Sequence, residues 1–346
     1  MAFDLRDLLI QAFQSQASDV HLHACSPPVF RIHGELKPMG SVSLGESDTE
    51  QMAKSIIPEK LWDSFLEEGE LDFNYELEKV SRFRVNAFLQ KGRISLAIRL
   101  IPIKIPTLEE LKLPPVLEQM LTYPQGLILV TGPTGSGKTT TLAAMIHYIN
   151  QHYAKHIITL EDPIEYVHSQ QKSIINQREV GIDTKSFAAG LRSALRQDPD
   201  IILVGEMRDL ETIATAITAA ETGHLVLATL HTIGAAETIN RIIDVFPPHQ
   251  QQQIRIQVAE TLRGIISQRL FPTMNGDGRI AATEVLVNIP SVANLIRNEK
   301  VHQIQNILQT NRHKGMHTLE MSILNLLERN IISYDVAKPY LPAGEY

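Results

Sequence analysis

The sequence predicts an α/β protein in two parts: a small α+β domain over residues 1–100 and a larger domain over 107–346 with a parallel sheet. Three observations lead there. Short strand-like runs dominate the first hundred residues, Ile101-Pro102-Ile103-Lys104-Ile105-Pro106 interrupts the pattern, and apolar strands then alternate with helical stretches. Such alternation marks a parallel sheet with helices on its faces. The chain has 346 residues, enough for about two domains.

In the first part, Phe3, Leu8, Leu9, Ala12 and Phe13 fall on one helical face. Ser18 to His23 alternates like a strand and stops at Pro27-Pro28, and Val29 to His33 is a second strand turned at Gly34-Glu35. Asp48 to Phe65 reads as helix interrupted near Pro58. Leu71–Tyr75, Ser81–Leu89 and Arg93–Leu100 read as three further strands, the last two turned at Lys91-Gly92. Residues 101–106 read as an extended linker, because its prolines fix φ and lack the donor N–H.

The second part is organised around Gly132-Pro133-Thr134-Gly135-Ser136-Gly137-Lys138-Thr139, a G-x-x-x-x-G-K-T loop. Leu127–Val130 before it is a β-rich run, Thr140 completes the expected nucleotide-binding set, and Thr141 to Asn150 continues with helical spacing. Glycines let successive N–H groups converge on one point, and a helix N-terminus adds positive potential there. In such a loop the lysine, here Lys138, reaches the β- and γ-phosphates, and the hydroxyl of Thr139 ligates Mg²⁺. The pattern calls for a nucleoside triphosphate with Mg²⁺.

Ligands of open parallel sheets sit at the carboxyl ends of the strands. Three more strands end in residues suited to that chemistry: His156–Leu160 runs into Glu161, Asp162 and Glu165, Ile201–Val204 into Gly205-Glu206, and Leu225–Leu230 into His231. Carboxylates there can hold Mg²⁺ through water or orient an attacking water. Glu206 has the Walker B setting, although Gly205 stands where many P-loop enzymes place aspartate. His231 can sense the γ-phosphate, whereas His224 lies at the opposite end of its strand. Arginines that could stabilise a phosphoryl transition state are Arg82, Arg84 and Arg99 in the first part, and Arg192, Arg196 and Arg208 in the second. His21 and His23 share a strand face, without the further ligands a metal site needs.

Composition narrows the function classes. The net charge of −7 and 5% aromatic content argue against a nucleic-acid translocase, which needs a basic channel and stacking platforms. One cysteine, Cys25, allows no internal disulfide, which fits a reducing compartment. The N-terminus does not read as a signal peptide, and no apolar run approaches the roughly 18 residues of a membrane span. A cytoplasmic protein is expected, with membrane association through a partner.

Together and in this order, these blocks resemble the secretion-type ATPases that drive type IV pili and type II and IV secretion, most nearly their PilT-type retraction motors. Ser18–His23 with Pro27–Arg31 and Gly34 resembles the family's PAS-like N-terminal domain. Gly132–Thr139 resembles its Walker A, Thr159–His168 its Asp box, Gly205–Asp209 its atypical Walker B, and Thr222–Thr232 its His box. The resemblance implies a RecA-like ATP-hydrolysing domain with a helical C-terminal region. Glu165 then positions the water, Glu206 serves the Mg²⁺ side, and His224 and His231 support the site. It further implies a homohexamer in which Arg82, Arg84 or Arg99 reaches a neighbour's nucleotide, working on an inner-membrane pilus platform protein. Family extension motors carry a longer N-terminal region and a four-cysteine zinc motif, neither of which is present, so retraction is expected, with an extension motor or a PilU-like accessory motor as alternatives. The family's Ala-Ile-Arg-Asn-Leu-Ile-Arg-Glu retraction motif appears as Ser291–Asn298, with Ala293 at its first arginine and Asn298 at its glutamate.

Overall fold

A computed structural model describes residues 4–32, 34–78, 80–101, 104–276 and 278–341. Phe3, His33 and the Pro102-Ile103 centre of the expected linker lie outside the described residues. The chain divides into two compact units, Met1–Lys104 and Ile105–Tyr346.

The first unit runs α1 (Leu5–Gln14), β1 (Ala17–Leu22), β2 (Val29–Ile32), β3 (Glu35–Pro38), α2 (Glu46–Ile56), α3 (Glu59–Glu68), β4 (Glu70–Leu77), β5 (Ser81–Gln90) and β6 (Arg93–Ile101). Its six strands form one sheet in the order β3-β2-β1-β6-β5-β4, antiparallel throughout. Alternation places Phe83, Val85 and Ala87 in the core, and Arg82, Arg84 and Asn86 on the other face. Helices α2 and α3 part around Pro58, which cannot donate within a helix. Two details differ from the sequence expectation. Leu5, not Phe13, completes the buried face of α1, and Phe13 is 42% exposed. Strand β3 is exposed along its whole length, so no apolar alternation announces it.

The second unit runs α4 (Val116–Met120), β7 (Gly126–Thr131), α5 (Lys138–His152), β8 (His156–Glu161), β9 (Ile174–Glu179), α6 (Phe187–Ala194), β10 (Ile201–Val204), α7 (Leu210–Glu221), β11 (Leu225–Leu230), α8 (Ala235–Asp244), α9 (Pro248–Thr261), β12 (Leu262–Pro272), β13 (Arg279–Val287), α10 (Pro290–Arg297), α11 (Ile304–Thr310), α12 (Leu319–Glu328) and α13 (Tyr334–Ala337). The sheet order is β13-β12-β7-β11-β10-β8-β9, parallel except for the antiparallel edge strand β13. Strands β7, β10 and β11 are buried at every position, as expected of a sheet covered on both faces. Leu127 and Leu129 pack into one core with α7 to α11, and Ile128 and Val130 into the other with α4 and α5. In α10, Val292, Ala293 and Ile296 face the core, while Asn298 closes the helix and donates from Nδ2 to Asn294 O at 2.8 Å.

Candidate functional site

Register brings the carboxyl ends of four strands together. Thr131 of β7 pairs with Leu230 of β11, Ala228 with Val204 of β10, and Val204 with Leu160 of β8. The segments leaving these ends are the P-loop, the His231 loop, Gly205-Glu206 and the Glu161–Glu165 loop.

The P-loop joins β7 to α5 through Gly132, Gly135 and Gly137, all at positive φ. At Gly132 the requirement is steric as well: a Cβ there would meet Gln268 O at 2.3 Å and Ser136 Oγ at 2.7 Å. Gly137 is the N-cap of α5, and no side chain caps this helix, so its first N–H groups are not taken by a capping side chain. Lys138 Nζ donates to Gly132 O at 2.9 Å and to Pro133 O at 3.1 Å, folding over its own loop. Burial lowers the Lys138 ammonium below its usual value, and the charge of Glu206 opposes that shift. Ser136 Oγ is buried without a hydrogen-bond partner. An uncapped helix start, a lysine beside it and an unpaired hydroxyl suit an anionic ligand.

Glu206 sits where two loops meet. Its Oε1 lies 3.0 Å from His231 Nε2 and 2.5 Å from Arg208 Nε. Burial works to raise its carboxyl, but the hydrogen bond from Arg208 and the charges of His231 and Arg208 outweigh it and hold the group below the usual range. Arg208 also feels the charge of the exposed Asp162, which brings the β8 loop into the same field. Gly205, where an aspartate is more usual, lies against β8: a Cβ there would sit 3.1 Å from Leu160 O.

The β8 loop sorts its acids. Glu165 is exposed, and no hydrogen bond or ion pair to its carboxylate occurs among the described residues. Its neighbour Tyr166 shares a 3.0 Å hydrogen bond with Thr140 Oγ1, tying this loop to the first turn of α5. Glu161 goes elsewhere. Its carboxylate is buried and accepts from Thr159 Oγ1 at 2.6 Å and Gln177 Nε2 at 3.0 Å. Burial raises it above the usual range, against those two hydrogen bonds and with the charges of Glu165 and Glu179 adding to the rise. The structure therefore makes Glu161 a brace of the loop, and it is corrected as a candidate for contact with water or phosphate.

One other expectation separates from this edge. His224 precedes β11 at the far side of the sheet, where its Nδ1 lies 3.0 Å from Ala219 O and its carbonyl accepts from Gly126 N. The six residues of β11 place it about 20 Å from the P-loop of its own subunit. Arg82, Arg84 and Arg99 belong to the sheet of the first unit, where Arg84 and Arg99 are paired. Arg99 donates to Asp19 Oδ1 at 2.9 Å, and Arg82 Nε lies 3.5 Å from Glu76. Arg192 pairs with Glu211.

Sequence reasoning missed Gln268. This side chain is 2% exposed, donates from Nε2 to Ser136 O at 2.7 Å and accepts from Thr141 Oγ1 at 3.0 Å. A P-loop N–H can face a phosphate only if carbonyls turn away from it, and an outward carbonyl needs a donor behind it. Gln268 is that donor. Ser267 beside it shares a 2.6 Å hydrogen bond with Thr131. The only signal would have been the pairing of β12 with β7, which spacing does not reveal.

A family model described as "Type II/IV secretion system protein" matches residues 3–334. The chain belongs to that family. It is a family of ATPases, and this chain is PilT-like along its length. It is 47% identical to the type IV pilus retraction ATPase PilT of Pseudomonas aeruginosa, covering 97% of each chain. It is 46% identical to a twitching motility protein of Neisseria gonorrhoeae, covering 98% of this chain and 90% of that one. A crystal structure of the pilus retraction motor PilT with bound ADP superposes with a TM-score of 0.92 at 47% identity, covering 98% of this chain and 97% of the other. The PAS-like and RecA-like architecture agrees with that likeness.

Proposed function

We propose that this chain is the ATP-hydrolysing motor that retracts a type IV pilus, acting as a homohexamer on an inner-membrane platform protein. The observation that carries hydrolysis is Glu206, whose Oε1 lies 3.0 Å from His231 Nε2 and beside Arg208 Nε, within electrostatic reach of Lys138. Full-length likeness to PilT supports the direction of work.

In this reading the P-loop N–H groups bind the phosphates. Lys138 exchanges its loop carbonyls for β- and γ-phosphate oxygens. Glu165, exposed beside the Tyr166–Thr140 tie, orients the water for attack. His231 donates to the terminal phosphate or to Glu206 as charge develops. Thr139 and, through water, Glu206 offer the hard oxygen donors that Mg²⁺ takes, and the ion supplies neutralisation of phosphate charge.

Arg82, Arg84 and Arg99 are the candidates to reach a neighbouring subunit's nucleotide, and a neighbour is also what His224 would need to take part. The units would move about the 101–106 linker as nucleotide binds and leaves. Among the described residues no helix is long and apolar enough to cross a membrane, consistent with peripheral attachment on the cytoplasmic side. Deleting the gene tests the reading: surplus surface pili without twitching mean retraction, and bald cells mean extension.

A further inference from the structure

Glu284 of β13 is a buried carboxylate for which the hydrolytic scheme has no task, only 8% exposed. Strand register sets it in a lateral row: Glu284 beside Ser267, Ser267 beside Thr131, Thr131 beside Leu230. The row lies at the phosphate end of the sheet and finishes on the residue before His231.

The carboxylate accepts the Ala235 N–H at 2.8 Å, and the Leu319 N–H lies near enough to favour its ionised form. Ala235 is the first residue of α8, and Leu319 the first of α12. One side chain thus satisfies a first-turn donor of α8 and lies within electrostatic reach of the first N–H of α12. Burial pushes its carboxyl above the usual range, and the two N–H groups pull against that. An apolar residue would fill the position without that cost, as Leu286 and Ala282 do two residues to either side.

The anchored backbone leads back to His231. Thr232 Oγ1 and Thr238 Oγ1 lie 2.7 Å apart, and Thr238 Oγ1 donates to Gly234 O at 2.7 Å, so the loop is stitched onto the first turn of α8. Gly234 packs over the carboxylate: a Cβ there would meet Glu284 Oε1 at 3.4 Å. Behind the loop is a cavity of about 90 Å³, bounded by Gly132, Pro133, Gly234, Glu284 and Leu319.

We propose that Glu284 is the positioning residue for His231: by holding Ala235 it fixes the loop that presents the imidazole to Glu206. The proposal rests on His231 and Glu206 belonging to the hydrolytic site. Two variants of the full-length ATPase test it. Glu284→Leu removes the acceptor of the Ala235 N–H, with the side chain that the strand already carries at Leu286. Ala235→Pro breaks the same contact from the other side, removing the N–H and setting the ring Cδ where the carboxylate oxygen sits, at a first helical position that accepts proline after a Gly234 of extended ψ.

Both variants are expected to lower kcat roughly tenfold or more. KM for ATP should stay within about twofold, because the phosphate cradle is untouched. In a His231→Ala background neither should lower kcat further. Equal losses in both backgrounds, wild-type kcat in Ala235→Pro, or a raised KM at unchanged kcat would overturn the proposal. If Glu284→Leu does not fold, Ala235→Pro decides alone. Wild-type turnover in His231→Ala by itself would defeat the reading of the site, and the proposal with it.

Discussion

Glu206 Oε1 and His231 Nε2 lie 3.0 Å apart, joining the segments that leave β10 and β11. The contact sets the charge of the site. Arg208 shares the same oxygen, and together the two hold the partly buried carboxyl below its usual range. A carboxylate and a histidine locked together beside the P-loop lysine can respond as a unit to the charge of a terminal phosphate.

The depressed carboxyl of Glu206 has a consequence for stability. Its folded-state value lies below the ordinary 4.5, so its contribution is complete above that pH and is lost as pH falls through the folded value. Arg208→Ala removes the strongest of the groups holding it down. Thermal melts between about pH 5 and pH 3 should then show a shallower acid loss in the variant than in the wild type. Parallel curves would remove Arg208 as the cause.

Gln268 holds the cradle from behind, so Gln268→Leu leaves the Ser136 carbonyl and the Thr141 hydroxyl without their partner. Each buried group left unpaired costs about 1–3 kcal/mol. A clear drop in melting temperature is expected, together with weaker binding of a fluorescent ADP analogue. ADP affinity equal to wild type in a folded variant would show that the clamp does not shape the loop.

Glu161 and Glu165 should part in behaviour. Both hydrogen bonds to the Glu161 carboxylate fall on Oε1, which a glutamine can reproduce. Glu161→Gln is expected to fold and to keep kcat within about threefold, since no partner is left unpaired. Glu165→Gln should bind ATP and lose turnover in a phosphate-release assay. The reverse order of effects would return Glu161 to the chemistry.

The P-loop was legible in the sequence because its constraints are local: glycines, a lysine and a hydroxyl on consecutive positions between a strand and a helix. Glu206 and His231 were legible as strand ends, once the strands were recognised as apolar runs. Gln268 and Glu284 were not, because Gln268 reaches Ser136 from β12, 132 residues downstream, and Glu284 reaches Ala235 from β13, 49 residues downstream, through a register that no spacing displays. Glu161 looked equal to its acidic neighbours, since sequence does not show which carboxylate turns inward toward Thr159 and Gln177. Edge strand β3 escaped for a different reason. With no buried side, Glu35–Pro38 has no apolar period to read.

Single-turnover ATP hydrolysis by Glu206→Gln, with Lys138→Ala beside it, tests the central claim most directly. The account predicts that Glu206→Gln binds ATP with near-normal affinity yet hydrolyses it on the order of a hundredfold more slowly, whereas Lys138→Ala hydrolyses none. Wild-type turnover in either variant would contradict it.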